Sequence, residues 1–337
     1  MKRSLKVAAF LAFSLAVSAT AARVQTTPTQ PTFFARRDYP GGAAPLQVAD
    51  TNGDGIPDLI QESDGYVSVL FGNGDGTFRQ GPNMDTVIFD SSAFAATDLN
   101  GDGIADLVLV GGKEFGPGGI AICMGNGDGT FSPGTFYPAG SANGMEGLAL
   151  GDFNGDGIPE VVAVGNGGVW LFAGQGGGSF NPGVLAATLS ASPYTVAAGN
   201  LNGDNNLDLV ITLDGGGFVV LFGNGNGTFQ TPLAFAEPTN SLFVAVGSLI
   251  KGGPPGIVVA DAGKLYLYFG NGAGKFYGPY IKETAANGGA IAIGDVNGQI
   301  GLAVAVEVGL HATACPARDV RRGLYLHSAA RKHVRRR

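Results

Sequence analysis

The chain has 337 residues, of which 58 are glycine, and only 14% of the residues are charged while 45% are apolar. Glycine at about 17%, against roughly 7% in an average protein, argues against long helices, and the low charge argues against a disordered chain. The glycines follow no G-X-Y period, which excludes collagen, so the composition indicates a protein of strands and turns.

The net charge of −7 is distributed unevenly along the chain. Residues 22–307 contain nine basic and 26 acidic residues and no histidine, which gives this body a net charge of −17. An acidic body of this kind repels nucleic acid and anionic lipid, and it favours cations or neutral ligands. Without histidine it has no Ser-His-Asp triad and no His-ligated zinc.

The N-terminus has the pattern of a secretory signal peptide. A basic start leads into a 13-residue apolar run at 5–17 that one lysine interrupts, and the small residues A-T-A follow at 19–21. We therefore predict a signal peptide at 1–21, a linker at 22–32 and secretion of the mature protein. The run is shorter than the ~20 apolar residues of a spanning helix, so a membrane anchor is the weaker alternative.

Two motifs recur along residues 33–307 at a spacing of about 48 residues. The first is an acidic loop: DTNGDGIPD at 50–58, DLNGDGIAD at 98–106, DFNGDGIPE at 152–160 and NLNGDNNLD at 200–208. The second is a glycine motif: FGNGDGTF at 71–78, MGNGDGTF at 124–131, AGQGGGSF at 173–180, FGNGNGTF at 222–229 and FGNGAGKF at 269–276. A double period of this kind is typical of a repeat architecture.

Each repeat has the pattern of four short strands. In the first repeat, an apolar segment at 45–49 enters the acidic loop and a second at 58–61 leaves it, and a third at 66–71 enters the glycine motif. A more polar fourth strand follows Phe78. Four antiparallel strands at this period predict the blade of a β-propeller, because a solenoid coil usually takes about 20 to 30 residues. A β-solenoid is the alternative.

The two motifs resemble the FG-GAP and VCBS-type repeats of integrin α-chain propellers and of many secreted bacterial proteins. The resemblance covers roughly residues 33–306. It implies an all-β fold, a β-propeller of four-stranded blades, in which the acidic loop joins the first two strands of a blade and binds calcium. Family members typically have seven blades. This chain has about six recognisable repeats of a seven-bladed parent, with six acidic-loop positions and five glycine motifs, so it departs from a complete ring.

The spacing within the acidic loop fits the oxygen ligands of a calcium ion. Calcium takes about six to eight oxygen ligands, and a loop that curls around one ion presents alternate residues to it. Positions 1, 3, 5 and 9 offer side-chain oxygens, and position 7 offers its carbonyl. Magnesium is disfavoured because it usually keeps several waters. The predicted ligands are Asp50, Asn52, Asp54, Ile56, Asp58, Asp98, Asn100, Asp102, Ile104, Asp106, Asp152, Asn154, Asp156, Ile158, Glu160, Asn200, Asn202, Asp204, Asn206 and Asp208.

The loops differ in charge, and their expected affinity differs with it. Asn, Asp and Gly also populate ordinary tight turns, but three copies with an oxygen ligand at every odd position favour calcium. The loop at 200–208 has two formal charges where the first three have three, so we expect weaker binding. The loop at 248–256 has no carboxylate and contains Lys251, so we expect no binding. A sixth loop begins at Asp295 but lacks carboxylates at positions 5 and 9, and we expect no tight site there.

The glycine motif has neither the sequence nor the context of a phosphate-binding loop. Its glycines are expected to supply positive φ angles in a turn between two strands. Asp75 and Asp128 are expected to be solvated turn residues, and Cys123 a buried thiol. The phenylalanines at the ends of the motifs are expected to be core or inter-blade anchors: Phe78, Phe131, Phe180, Phe229 and Phe276.

These features predict a secreted calcium-binding propeller, with Ca²⁺ as its cofactor, that acts as a binding or adhesion module for protein or glycan. No nucleic-acid partner, stable membrane insertion or enzyme activity is expected, because no catalytic residue or converging pair of acids is singled out. The alternatives are a purely structural module of a larger extracellular assembly and, less favoured, a polysaccharide lyase. Aromatic candidates for a glycan platform, most of them expected in the core, are Trp170, Tyr194, Phe218, Tyr266 and Tyr268.

The basic tail at 308–337 breaks the repeat. The register continues through 291–306, after which no third strand or glycine motif follows, and the composition changes to Arg, His and Cys. We predict that this tail is a shifted reading frame or an error in the assigned coding sequence. A genuine basic tail that binds an anionic partner is the alternative.

Overall fold

The computed structural model describes residues 46–63, 66–85, 90–112, 117–140, 144–241, 243–287, 291 and 293. All of these residues belong to one compact unit of the chain. The predicted signal peptide, linker, sixth acidic loop and basic tail lie outside the described residues. Within the described part of the chain, no helix has the length and apolar character needed to cross a bilayer.

The described residues form strands joined by turns, and the strands pair antiparallel in sheets that follow chain order. Each four-stranded group is one blade. Blade 1 consists of β1 (Leu46–Ala49), β2 (Asp58–Ser63), β3 (Tyr66–Gly72) and β4 (Phe78–Asp85). Blade 2 consists of β5 (Asp90–Thr97), β6 (Asp106–Gly112), β7 (Gly118–Cys123) and β8 (Thr135–Pro138).

Blade 3 has an additional small hairpin, β12–β13, between its third and fourth strands. It consists of β9 (Gly147–Gly151), β10 (Glu160–Gly165), β11 (Gly168–Phe172), β12 (Gly174–Gly176), β13 (Ser179–Phe180) and β14 (Val184–Thr188). Blade 4 consists of β15 (Pro193–Gly199), β16 (Asp208–Leu213), β17 (Phe218–Leu221) and β18 (Leu233–Phe235). Blade 5 consists of β19 (Phe243–Ser248), β20 (Pro255–Gly270) and β21 (Phe276–Asn287).

The 16-residue strand β20 supplies both middle strands of blade 5. Its first part, 255–260, pairs with β19, and its second part, 262–270, pairs with β21. A Cβ on Gly256 would lie 2.5 Å from the carbonyl oxygen of Tyr268, so the two parts lie side by side. The chain reverses near Gly263, which has a φ of +78°. Blade 5 therefore also contains four strands.

The order of the strands confirms the predicted all-β fold and the β-propeller. The first strands of successive blades contact one another: β1 with β5, β5 with β9, β9 with β15 and β15 with β19. The first strand of each blade therefore lies innermost, and the fourth lies outermost, as in a propeller. The four predicted strands of the first repeat all occur, as β1 to β4.

The hydrophobic core consists of layers between neighbouring blades. Alternate residues of a strand face opposite sides of its sheet, so each blade contributes one face to the layer before it and one to the layer after it. In β6, Leu107 and Leu109 pack against blade 1, whereas Val108 and Val110 pack against blade 3. All four side chains have no exposed surface. Burial on both faces explains why this strand is a continuous apolar run.

The acidic loops and the glycine motifs lie at the same end of the blades. The acidic loop joins the first two strands of a blade and the glycine motif joins the last two, and the strands alternate in direction. The first hairpin has the same register in every blade, since the residue before the loop pairs with loop position 9. The pairs are Ala49–Asp58, Thr97–Asp106, Gly151–Glu160, Gly199–Asp208 and Gly247–Gly256.

Candidate metal centres

We number the acidic loops 1 to 5 after their blades, with loop 5 at 248–256. The side chain at position 1 folds over its loop and accepts hydrogen bonds from backbone amides. In loop 1, Asp50 Oδ1 accepts from Gly53 N at 2.8 Å, and Asp50 Oδ2 accepts from Gly55 N at 2.7 Å. The same two bonds recur in loops 2 and 3. In loop 4, Asn200 Oδ1 accepts from Gly203 N at 2.7 Å.

In loops 2 and 3, these bonds keep the carboxylate at position 1 ionised. Burial by itself would raise the pKa of Asp98 and of Asp152, but the hydrogen bonds from the loop amides outweigh burial and lower both pKa values below the usual range. In loop 4, the pKa of Asp204 at position 5 is lowered in the same way, against burial, by bonds from the Asn206 amide and the Asn202 side chain. Loops 2 to 4 therefore hold anionic oxygens at neutral pH.

The side chains at positions 3 and 5 turn toward the same point. Asn100 Nδ2 donates to Asp102 Oδ2 at 2.8 Å, and the equivalent bond occurs in loop 4. In loop 3, Asn154 Nδ2 donates to Asp156 Oδ2 at 3.0 Å and to Glu160 Oε1 at 2.8 Å. The structure thus brings positions 3, 5 and 9 of loop 3 into direct contact.

The carboxylate at position 9 joins the acidic loop to the glycine motif. In loop 2, Asp106 Oδ2 accepts from Leu99 N at 2.9 Å, and Asp106 Oδ1 accepts from Gly125 N at 2.8 Å. Loops 1 and 4 make the same two connections. The position-9 side chains have no exposed surface: Asp58, Asp106, Glu160 and Asp208. One buried side chain thus fixes both turns, a structural role that the ligand spacing did not reveal.

Burial raises the pKa of Asp106, Glu160 and Asp208 above the usual range, although the amide hydrogen bonds act in the opposite direction. The negative charges of Asp102 and Asp98 raise the pKa of Asp106 further. A raised pKa means that the folded loop disfavours the ionised carboxylate. A cation bound beside it would offset that unfavourable energy.

The chemistry of the donors in loops 1 to 3 fits calcium. Positions 1, 3, 5 and 9 carry carboxylates or amides, and neither histidine nor cysteine occurs in these loops. Hard oxygen ligands of this kind select calcium rather than zinc or copper. Among the described residues, no three side chains of His, Cys, Asp or Glu form a metal cluster by themselves. The predicted set also uses the Asn oxygen and the carbonyl at position 7, and it stays a prediction.

In blades 1 to 3, the side chain at position 7 of the acidic loop lies against the first glycine of the glycine motif. A Cβ on Gly72 would lie 2.8 Å from Ile56 Cγ2, and blades 2 and 3 repeat this contact at the same distance with Ile104 and Ile158. In all five blades, a Cβ on the first glycine of the motif would overlap the carbonyl oxygen of loop position 8. The first glycine of the motif is therefore required by the acidic loop of its own blade.

The glycine motif forms a hairpin turn in all five blades, as predicted. Its first glycine pairs with its phenylalanine, and the glycines at its fourth and sixth positions have φ angles between +71° and +84°. Asp75 and Asp128 are exposed, and each accepts a hydrogen bond from the threonine two residues later. This confirms that both are turn residues.

The last glycine of the motif packs against the preceding blade. A Cβ on Gly129 would overlap the ring of Phe71 in blade 1. A Cβ on Gly178 would lie 2.6 Å from Met124 Sδ in blade 2, and equivalent contacts occur at blades 4 and 5. Around Gly76, in blade 1, nothing lies within 4 Å of such a Cβ. The glycine is thus a contact surface between blades as well as a turn residue.

Four of the five phenylalanines of the motif pack between neighbouring blades, as predicted: Phe131, Phe180, Phe229 and Phe276. Phe180 of blade 3 packs edge-on against Tyr137 of blade 2, with ring centroids 5.9 Å apart. Phe276 of blade 5 packs edge-on against Phe235 of blade 4 at 6.0 Å. The sequence therefore identified these residues correctly, although not their aromatic partners.

Loop 5 closes without a carboxylate. At position 1, Ser248 Oγ donates to the carbonyl oxygens of Ile250 at 2.6 Å and Gly253 at 2.9 Å. Position 9 is Gly256, and a Cβ there would lie 2.8 Å from Leu249 Cδ1. The Leu249 side chain packs on the core at this point. An apolar contact therefore lies beside position 9 in place of a buried charge.

The five aromatic candidates for a glycan platform do not form an exposed platform. Phe218, Tyr266 and Tyr268 are buried in the core, as expected for most of the set. Trp170 packs half-buried between blades 2 and 3. Tyr194 is 40% exposed and packs edge-on against Phe243.

Cys123 is a buried free thiol, as predicted. Burial raises its pKa to about 11. At neutral pH it is therefore a protonated core side chain rather than a reactive thiolate.

A family model of the FG-GAP-like repeat matches three overlapping segments, 50–109, 98–163 and 152–211. Each match begins at position 1 of an acidic loop. Residues 50–211 are FG-GAP repeats. No curated protein matches the sequence.

Solved structures share the fold of these FG-GAP repeats. The BP39L lectin from Burkholderia pseudomallei matches with a TM-score of 0.55 and 18% identity over 71% of this chain and 69% of the lectin. BBS1N in complex with ARL6DN matches with a TM-score of 0.50 and 11% identity over 72% and 70%. An Agrocybe aegerita lectin that recognises non-reducing terminal N-acetylglucosamine matches with a TM-score of 0.43 and 20% identity over 72% and 80%. At these identities the likeness to BP39L and BBS1N shows the fold alone.

Proposed function

We propose that this FG-GAP propeller is a secreted, calcium-binding module that binds a protein or glycan surface. The observation that carries the proposal is the repetition in loops 1 to 3. Each loop holds the same set of oxygen donors on the same hairpin, and each ends in a fully buried carboxylate at position 9. Calcium would neutralise this concentrated negative charge and stabilise the inner hairpin of each blade.

Calcium binding is tested by titration of chelator-stripped protein in a calorimeter. We expect three tighter sites and one weaker site, because loops 1 to 3 have three formal charges and loop 4 has two. Asp54→Ala should remove or weaken one of the tighter sites. Lys251→Ala, in loop 5, is the matched control and should leave the titration unchanged. A stripped protein that takes up no calcium would refute the assignment.

Calcium should also stabilise the fold. An ion that binds only the folded state raises the free energy of unfolding by about 2.7 kcal/mol at one hundred times its dissociation constant. The melting temperature should therefore fall on addition of EGTA and recover with excess calcium. Equal melting temperatures in both conditions would contradict a structural role for the ion.

The binding role is tested with a glycan array in calcium and in EGTA. The matched propellers include lectins, but the residues of this chain do not specify a sugar. Binding to any glycan on the array would therefore support a glycan ligand. If no glycan binds, the remaining hypotheses are a protein ligand and a structural role. We propose no enzyme activity, since residues 22–307 lack histidine and the acids of the loops are assigned to calcium. Depolymerisation of a polysaccharide would overturn this part.

Secretion is tested separately. Mass spectrometry of the exported protein should find a mature chain that begins after Ala21. A chain that still begins at Met1 would contradict the signal peptide.

A further inference from the structure

Asn-Gly dipeptides recur in the acidic loops, in the glycine motifs and in one hairpin turn. This dipeptide is prone to deamidation. The glycine nitrogen attacks Cγ of the asparagine side chain, a new C–N bond forms, and ammonia leaves to give a five-membered succinimide. Water then opens the ring at either carbonyl and yields aspartate or isoaspartate. The reaction needs water alone as co-reactant, together with a free glycine amide and a mobile asparagine side chain.

The acidic loops restrain both reacting groups. The amide of the glycine at position 4 donates to the position-1 side chain in all four loops, at 2.6 to 2.8 Å. The asparagine at position 3 is held as well, because its Oδ1 accepts from the amide at position 5 at 2.8 to 3.1 Å. A glycine amide that donates to a carboxylate is not free to attack, and charge-assisted bonds of this type are the stronger ones.

The glycine motifs restrain the asparagine side chain in a different way. Asn73 Nδ2 donates to Thr77 Oγ1 at 2.8 Å, and the equivalent bond occurs in blades 2 and 4. Asn226 precedes a glycine whose amide donates to the carbonyl of Phe153 at 2.9 Å. These asparagines are thus held through one of the two reacting groups.

Asn166 differs from both sets. It lies with Gly167 in the two-residue turn between β10 and β11, closed by the pair Gly165–Gly168. Asn166 is exposed, and neither its side chain nor the Gly167 amide makes a hydrogen bond to another described residue. The φ of Asn166 is +48°, in the left-handed region that asparagine adopts in two-residue hairpin turns. Nothing lies within 4 Å of a Cβ built on Gly167, which leaves room for the attack.

We propose that Asn166 deamidates spontaneously in preference to the asparagines of the acidic loops and glycine motifs, and that the position-1 side chains protect the asparagines of the acidic loops. The carboxylates of the loops then have a second role that does not depend on calcium. Long-lived copies of the protein gain a negative charge, or an isoaspartate, at the end of blade 3 remote from the acidic loops. The oxygen ligands at position 3 meanwhile keep their chemical identity.

The experiment follows deamidation site by site. The folded protein is incubated in EGTA at mildly alkaline pH, so that no bound calcium contributes, and digests are analysed by mass spectrometry for aspartate and isoaspartate at each Asn-Gly pair. We expect conversion at Asn166 to be at least about tenfold faster than at Asn52, Asn100 and Asn154, a ratio that corresponds to about 1.4 kcal/mol. Equal or faster conversion at the loop asparagines would overturn the proposal.

Two variants of position 1 test the protective bond. Asp50→Ala removes the acceptor of the Gly53 amide, so Asn52 should now deamidate at least about tenfold faster, while Asn100 and Asn154 keep their rates as internal controls. Asp50→Asn keeps an acceptor oxygen, as Asn200 does in loop 4, and should leave Asn52 largely protected. An unchanged rate at Asn52 in Asp50→Ala would overturn the protective role. Acceleration at Asn73 as well would overturn it too, since general loosening of blade 1 would then explain the result.

Discussion

Loops 1 and 5 join the same two strands of a blade in the same register but close by opposite chemistry. In loop 1, the buried Asp58 accepts hydrogen bonds from the amides of Thr51 and Gly72. In loop 5, Ser248 donates to two carbonyl oxygens of its own loop, and Leu249 packs beside Gly256. A buried anion thus organises backbone donors in one blade, whereas an apolar side chain fills the corresponding place in the other.

The difference between loops 1 and 5 shows which interactions the fold requires and which a bound ion would add. Both loops support a four-stranded blade, so the propeller fold does not depend on a carboxylate at position 9. Removing the buried anion is nevertheless expensive, because the backbone amides that donate to it are then left buried and unsatisfied. If the proposed calcium sites exist, loops of the first kind should respond to calcium, while loop 5 should be indifferent to it.

The largest effect is expected when the buried anion itself is removed. Asp106→Ala leaves the amides of Leu99 and Gly125 without their acceptor, and we expect the free energy of unfolding to fall by about 3 kcal/mol. Urea denaturation in EGTA measures this fall in the absence of the ion.

Ser248→Ala is the matched change in loop 5. It removes one hydroxyl donor in a loop that is largely exposed, and it should lower the free energy of unfolding by about 1 kcal/mol or less. If Asp106→Ala were harmless in EGTA, position 9 would be a metal ligand without the structural role that its two hydrogen bonds indicate.

A second comparison tests whether contacts between blade 1 and the glycine motif of blade 2 stabilise the protein. Gly129 N donates to the carbonyl of Thr51 in loop 1, and a Cβ on Gly129 would overlap the ring of Phe71. Gly129→Ala should therefore lower the free energy of unfolding by about 1 kcal/mol for its φ of +84° and by about 2 kcal/mol more for overpacking. Thermal or urea unfolding measures the total loss of about 3 kcal/mol.

Gly76→Ala is the matched control for this contact. Gly76 has a φ of +79° and occupies the same place in its motif, but nothing lies within 4 Å of a Cβ built there. The free energy of unfolding should therefore fall by only the roughly 1 kcal/mol that the positive φ costs an alanine. Equal losses at both glycines would show that the overlap with Phe71 is relieved without cost.

The apolar closure of loop 5 is tested by Leu249→Ala. Truncation of this side chain at the core should lower the free energy of unfolding by about 2 kcal/mol. Because no charge is involved, the loss should be the same in calcium and in EGTA. A loss that calcium changes would mean that loop 5 is coupled to an ion site, and the contrast with loop 1 would fail.

Much of this arrangement could be predicted because its signals are local. The odd positions of the loops and the glycines of the motif repeat in sequence, so the strands, the turns and the exposed Asp75 followed directly. The hydrogen bond from Gly125 to Asp106 joins residues that are 19 apart, and nothing in either motif alone reveals it. The role of Leu249 was hidden for a different reason, since a leucine next to a metal-free loop has no distinguishing pattern.

The smallest effect separates loop 4 from loops 1 to 3. Loop 4 has Asn200 at position 1, where Asp50 in loop 1 uses its second oxygen to accept the amide of position 6. Asn200→Asp should restore both that acceptor and the third formal charge, and calcium affinity rises with ligand charge. We expect an increase of about tenfold in the affinity of this one site, with little change at the others, when calcium is titrated by calorimetry.

The same substitution should lower stability slightly when the ion is absent. In EGTA, the added charge lies near the exposed Asp204, and repulsion between exposed charges amounts to a few tenths of a kcal/mol, so the free energy of unfolding should drop by less than about 0.5 kcal/mol. In excess calcium the sign should reverse, because the tighter site stabilises the folded state by mass action. The reversal is the informative part. A destabilisation that persists in saturating calcium would mean that position 1 of loop 4 does not face an ion, and the graded assignment of the four loops would have to be abandoned.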